Sequence, residues 1–249
     1  MEIQLLRNAT MKIQYAGTTF LTDPVLSPKN TLPSLAGAQK NPTVDLPFPV
    51  PEILTGLDCI IISHDHPDHM DKAAISALPK DKPVFCQPPD ETRLLQEGFL
   101  NVLPVEGTRN WGKIVIKRIQ GRHGQGRTGK MLGQVSGFLF QADQEPTLYW
   151  VGDSIWCQEI QDCIEAHNPE VVITHSCGAA FSDTAPIIMD GEQTLQLVRA
   201  TPGSTVVAVH MDALDHCRTT REMLRSMADQ ASVSRSRLLI PEDGEKLTF

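Results

Sequence analysis

The chain has 249 residues, enough to bury a sizeable core, and its 22 Lys and Arg against 30 Asp and Glu give a formal net charge of −8. That balance excludes nucleic acid as the default partner, since phosphate binding calls for a basic surface. Hydrophobic residues make up 41 % of the chain, an ordinary soluble composition, and no apolar run reaches the ~20 residues of a membrane span.

The N-terminus, MEIQLLRNATMKIQYAG, has no apolar signal core followed by a small-residue cleavage site, so a cytoplasmic protein is expected. Cysteines at 59, 86, 157, 163, 177 and 217 form no C-x-x-C pair and read as reduced thiols, mostly core. One domain over residues 1–249 is expected, with a small-molecule substrate and an oligomeric state left open.

In chain order, Lys12–Tyr15 and Thr19–Leu21, hinged at Ala16-Gly17, resemble a hairpin. Pro24 to Pro51 carries seven prolines without periodicity; such a loop serves as a lid or binding loop, or forms an ordered excursion without a ligand. Five apolar runs then recur at Ile60–Ile62, Ile114–Ile116, Leu148–Val151, Val171–Thr174 and Val206–Val209. Their length and composition predict strands buried on both faces. Helices are predicted over 71–78, 90–98 and 157–167, and after the capping-box patterns beginning at Asp190 and Thr219, with Pro202-Gly203 stopping the first of these two. Alternating strands and helices make an α/β protein.

The first apolar run leads into Ser63-His64-Asp65-His66-Pro67-Asp68-His69. Alternate strand residues share a side, so His64 and His66 project together, while Pro67 turns Asp68 and His69 in from another direction. Such N and O donors suit zinc, or iron or manganese with a change of geometry. One tetrahedral zinc cannot use all four and still bind others, so ligands elsewhere imply two metals. Later runs supply candidates: His123 within Gly121-Arg122-His123-Gly124, Asp153 after Val151-Gly152, and His210 after Val206–Val209. Singly, each is explained as a hydrogen-bonded strand end; a buried carboxylate such as Asp153 still needs a cation or several donors.

His64-x-His66-x-Asp68-His69, followed by His123, Asp153 and His210, resembles the metallo-β-lactamase superfamily over nearly the whole chain. The resemblance implies a four-layer αβ/βα sandwich with two divalent metal ions at one edge, zinc foremost and manganese or iron as alternatives. It places His64, His66 and His123 on one metal and Asp68, His69 and His210 on the other, with Asp153 bridging. Leu21-Thr22-Asp23-Pro24 and the segment from His210 to Cys217 look most like the ascorbate-6-phosphate lactonase-like branch, with Asp23 orienting a ligand histidine.

A dinuclear site of this kind generates hydroxide at neutral pH. The expected activity is hydrolysis of a small, anionic lactone or phosphodiester, with Asp68 orienting the nucleophile and His175, at another strand end, contacting substrate or acting as acid. Arg109 to Lys130 contains seven basic residues and no acidic one; Arg122, Arg127 and Lys130 are the candidates for binding the anionic group. His216 and Cys217 are expected one to two helical turns past His210, in a supporting or core position. The competing readings are an iron-dependent redox enzyme on the same fold and a non-catalytic metal binder.

Overall fold

A computed structural model describes residues 1–181 and 184–249. Among the described residues the strands form two seven-stranded mixed sheets. In the first, β1 (Glu2–Arg7), β2 (Thr10–Tyr15) and β3 (Thr18–Thr22) make an antiparallel meander. Strands β4 (Cys59–Ile61), β5 (Pro83–Cys86) and β6 (Asn101–Pro104) then add in parallel. The second sheet begins antiparallel with β7 (Thr108–Trp111), β8 (Ile114–Gln120), β9 (Ser136–Gln141) and β10 (Leu148–Trp150). It continues in parallel with β11 (Val171–His175), β12 (Thr205–Val209) and β13 (Leu238–Leu239). The final strand, β14 (Lys246–Thr248), crosses back to pair with β1.

Side-chain alternation sorts each apolar run onto two cores. Cys59 and Ile61 face the space between the sheets with Trp150, Ile173, Val207 and Val209. Ile60 and Ile62 face outward and pack with Ala74 and Leu94, which belong to α2 (Lys72–Ala77) and α3 (Glu91–Gln96); α1 (Val50–Leu54) joins that layer through Ile53. Across the molecule, Val172, Val206 and Ala208 pack against α5 (Gln158–His167), α6 (Gly191–Ala200) and α7 (Arg221–Gln230) through Ile160, Leu195 and Leu224. The result is a four-layer αβ/βα sandwich in which fully buried Ile and Val side chains contribute roughly 1.5–3 kcal/mol each. No helix among the described residues is long and apolar enough to cross a membrane.

Caps fix where these helices start. Asp71 accepts from Ala74 N at 2.7 Å and Asp190 from Gln193 N at 2.9 Å. The cap of α7 is Thr220, which accepts from Met223 N, one residue beyond the Thr219 of the capping-box pattern. The basic stretch holds a helix that no periodicity announced, α4 (Gly126–Leu132).

The proline-rich segment is an ordered excursion. The buried Arg7 guanidinium donates to the carbonyls of Val25, Ser27 and Val44 at 2.8, 2.9 and 3.1 Å. Farther along, Leu32 and Asn41 form an isolated bridge, and the carboxylate of Asp215 accepts from the amides of Leu35, Ala36, Ala38 and Gln39 and from the side chains of Ser34 and Asn41. This closure brings Leu35 beside Asp68 and Asp153 in a shared pocket.

Candidate metal centre

At one edge of the sandwich the ends of β4, β10, β11 and β12 converge, and with them His64, Asp153, His175 and His210. Each ring in the cluster has one nitrogen held from behind and the other turned inward. His69 Nδ1 donates to Asp23 Oδ2 at 2.6 Å, leaving Nε2 at 3.1 Å from Asp153 Oδ2. His123 Nδ1 donates to the Ile187 carbonyl at 3.0 Å, with Nε2 at 3.7 Å from Asp153 Oδ2. His66 Nε2 donates to the Leu132 carbonyl at 3.1 Å, so its Nδ1 faces His64 Nε2 at 2.9 Å. His64 Nδ1 sits 3.0 Å from Ser63 Oγ, and Nε2 lies 3.9 Å from Asp153 Oδ2. His210 Nδ1 lies against Cys177 Sγ at 3.5 Å, with Nε2 at 3.7 Å from Asp153 Oδ1.

Rear hydrogen bonds of this kind set tautomers and orient rings for ligation. Two sets of facing donors result, His64, His66 and His123 in one, and His69, Asp153, His175 and His210 in the other, each within 4.8 Å. The donor set fits divalent cations. His69 Nε2 and His210 Nε2 point at each other across 3.3 Å beside a carboxylate, an arrangement that a cation between them relieves.

For four of the rings and for Asp153 the electrostatics agree with that fit. Burial lowers the pKa of His64, His66 and His123, and takes His210 down to about 3, which keeps these rings neutral and their lone pairs free. Burial opposes the charge on Asp153, yet His69, His210 and the hydrogen bond from His175 outweigh it and hold the carboxyl well below the usual range. For His69 burial also opposes charge, and Asp153 and Asp23 on either side outweigh it, raising its pKa well above the ordinary value.

Asp68 follows the Pro67 turn, with Oδ2 at 3.9 Å from His69 Nε2 and 3.8 Å from His216 Nε2. Asn8 pins its backbone by donating to the Asp68 carbonyl at 2.9 Å. His175 is fully buried behind Asp153: its Nδ1 donates to Asp153 Oδ1 at 2.5 Å and its Nε2 accepts from the Trp150 indole at 3.0 Å. Both ring nitrogens are engaged, so neither is free to meet a substrate. Asp23, besides holding His69, accepts from Ser63 N at 2.7 Å and Ser63 Oγ at 2.6 Å.

The three basic candidates lie elsewhere. Arg122 points at Glu159, with Nη2 at 2.8 Å from Oε1, and Arg127 and Lys130 lie exposed on α4. Arg122 and Lys130 line a groove of about 500 Å³ on the outer side of His123, together with Glu159. The pocket over the donors is different, about 190 Å³, and its apolar wall is Leu35, Pro67, Leu132, Phe181 and Ile187. His66, Asp68, His123, Asp153 and His216 complete it, and no Lys or Arg is among the described residues that line it. Sequence reasoning missed Trp150 and Leu35 here; His216, expected in a supporting or core position, is buried with Nε2 3.8 Å from Asp68 Oδ2.

A family described as the Beta-lactamase superfamily domain matches residues 18–211. UPF0173 protein YddR of Bacillus subtilis (strain 168) is 34 % identical, with all of both chains covered. A possible metal-dependent hydrolase from Veillonella parvula DSM 2008 superimposes with a TM-score of 0.97 at 31 % identity, over 100 % of this chain and 99 % of that one. An isothiocyanate hydrolase from Delia radicum gut bacteria gives 0.95 at 34 % identity, with the same coverage. With the same sandwich, a converging set of donors, and sequence similarity from end to end, the chain belongs to the β-lactamase superfamily, among its UPF0173 metal-dependent hydrolases.

Proposed function

We propose that this hydrolase acts on a small, uncharged electrophile with an apolar substituent, of the isothiocyanate class. The observation that carries the reading is the pocket of about 190 Å³ over Asp153, walled by Leu35, Leu132, Phe181 and Ile187. An apolar substituent packs there against the apolar wall, and no Lys or Arg is among the described residues that line the pocket to match an anion. The 34 % identity to an isothiocyanate hydrolase along the whole chain supports the same class. The anionic lactone or phosphodiester keeps one supporting feature, the groove with Arg122 and Lys130, but Glu159 already neutralises Arg122 there.

Two divalent cations, zinc foremost, would be held by His64, His66 and His123 and by Asp68, His69 and His210, together with Asp153. Bound there, such ions would lower the pKa of water to about 7 and polarise the electrophile. The chain's own residues do the rest. Asp68, which lines the pocket, orients the water by accepting its hydrogen bond and takes up its proton at Oδ2 as the new C–O bond forms at the central carbon. Returned to the substrate nitrogen, that proton completes addition of water across C=N; the thiocarbamic acid so formed then breaks its C–N bond, its O–H proton passing to nitrogen as the amine leaves and carbonyl sulfide is released. Trp150 and His175 hold Asp153 still from behind and are positioning groups. Leu35, Leu132 and Phe181 exclude bulk water from the reacting carbon. Six unpaired thiols, five of them buried, support the cytoplasmic setting.

Metal quantification on purified protein, followed by assay of benzyl isothiocyanate, an uncharged lactone and bis(p-nitrophenyl) phosphate, tests the reading. Turnover of the isothiocyanate that chelation abolishes and zinc restores is the expected result. Preferential cleavage of the phosphodiester would overturn it, and bound iron with oxygen consumption would move the protein to redox chemistry.

A further inference from the structure

His216 differs from every other histidine in the molecule. Each of the others has at least one ring nitrogen in a hydrogen bond. His216 is only 6 % exposed, its Nδ1 is buried without a partner among the described residues, and its Nε2 stands 3.8 Å from Asp68 Oδ2, beyond hydrogen-bond reach. A buried imidazole left unpaired costs free energy that an apolar residue of similar size would not. The ring lines the pocket over the donors, alongside Asp68 and Leu35.

Its placement is built rather than incidental. Asp215, the preceding residue, gathers the amides of Leu35, Ala36, Ala38 and Gln39 and the side chains of Ser34 and Asn41. Asn41 Oδ1 in turn accepts from Asp215 N at 2.8 Å, and Thr43 donates to the carbonyls of Ala213 and Asp212 at 2.8 and 2.6 Å. One stitched unit therefore delivers both Leu35 and His216 to the same pocket.

We propose that His216 is a substrate-binding residue whose Nε2, on the side of Asp68 and without a hydrogen bond of its own among the described residues, hydrogen-bonds the heteroatom end of the electrophile while Leu35 packs against its organic group. An imidazole N–H is a donor, so it meets the nitrogen or sulfur of an N=C=S group at the polar side of the pocket, opposite the apolar wall. The inference rests on the reading of the pocket given under Proposed function and adds the polar contact which that reading lacks.

The test uses the metal-loaded protein and N-benzylthiourea, an unreactive probe with the same N–C=S atoms, titrated by calorimetry beside metal analysis. His216→Leu is expected to weaken probe binding about three- to tenfold, the loss of one hydrogen bond, with metal content unchanged. His216→Gln, which keeps a donor, restores most of it, and Leu35→Ala weakens the benzyl probe more than N-methylthiourea. Equal affinity in wild type and His216→Leu, absence of probe binding to the wild type, or loss of metal from His216→Leu overturns the proposal. Probe binding that behaves as expected in a protein that turns over no isothiocyanate overturns the reaction assignment alone.

Discussion

The indole N–H of Trp150 donates to Nε2 of His175 across 3.0 Å, and that contact decides the tautomer of the ring. With Nε2 accepting, the proton sits on Nδ1 and is donated to Asp153 Oδ1 at 2.5 Å. A chain of two hydrogen bonds thus runs from the core between the sheets to the carboxylate at the centre of the donor cluster. Trp150→Phe keeps an aromatic ring in the core and removes the donor. Metal affinity should fall about 10- to 100-fold, the usual effect of losing such a supporting contact. Zinc release to a competing chelator measures it, with circular dichroism checking that the fold is kept.

Gly152 controls the other approach to Asp153. Its φ is +71°, and a Cβ there would stand 2.6 Å from the Ser136 carbonyl oxygen. The chain must turn this tightly to bring Asp153 back over the donors from the end of β10. Gly152→Ala therefore meets both a left-handed backbone, worth about 1–3 kcal/mol, and a clash with backbone that cannot swing aside. Thermal unfolding should shift down by several degrees, and the metal content of the purified variant should drop with it. A fully metallated variant of unchanged melting temperature would refute the assignment of strain to this turn.

How much of this was readable in advance divides along physical lines. The cluster from His64 to His69 was legible because its spacing and the Pro67 turn are local properties, and the strand-end positions of Asp153, His175 and His210 follow from the apolar runs before them. Strands such as β1, β7 and β14 were not, because edge and half-exposed strands mix polar and apolar residues over a few positions. Part of the charge in the basic stretch is used elsewhere: Arg109 and Arg118 donate to the carbonyls of Pro104, Val105 and Glu106. The path from His210 to His216 was not legible, because helical spacing was assumed there. Positive φ angles of 64° at His210 and 62° at Asp212 break any helix there and swing His216 back toward Asp68.

Asp215 gives the Pro24–Pro51 excursion a pH dependence. Burial opposes its charge, but hydrogen bonds from Ser34, Asn41 and the loop amides outweigh that and hold its carboxyl below the usual range. A carboxyl depressed on folding contributes stability above its unfolded pKa, about 3.9, and loses it as pH falls through the folded value. Hydrogen exchange at Leu35 to Gln39, corrected for intrinsic rates, should show protection at pH 5 and above that fades below about pH 4. Asp215→Asn removes the charge, so the same amides should be poorly protected even at pH 7. Because Leu35 travels with this segment, the variant should also lose discrimination between benzyl and methyl isothiocyanate while keeping its metals.

Arg122 supplies the sharpest contrast between an uncharged and an anionic substrate. Its guanidinium lies 2.8 and 3.1 Å from the two Glu159 oxygens, is half exposed, and faces the outer groove instead of the pocket over the donors. Exposed pairs of this kind are worth about 0–1 kcal/mol. Arg122→Ala should therefore leave the melting temperature within about 2–4 °C, and kcat/KM for an uncharged isothiocyanate close to that of the wild type. Arg127→Ala and Lys130→Ala, on the exposed face of α4, should behave alike. A tenfold loss of kcat/KM in any of the three would bring the basic stretch back to the substrate, and with it an anion whose charge Arg122 would have to leave Glu159 to meet.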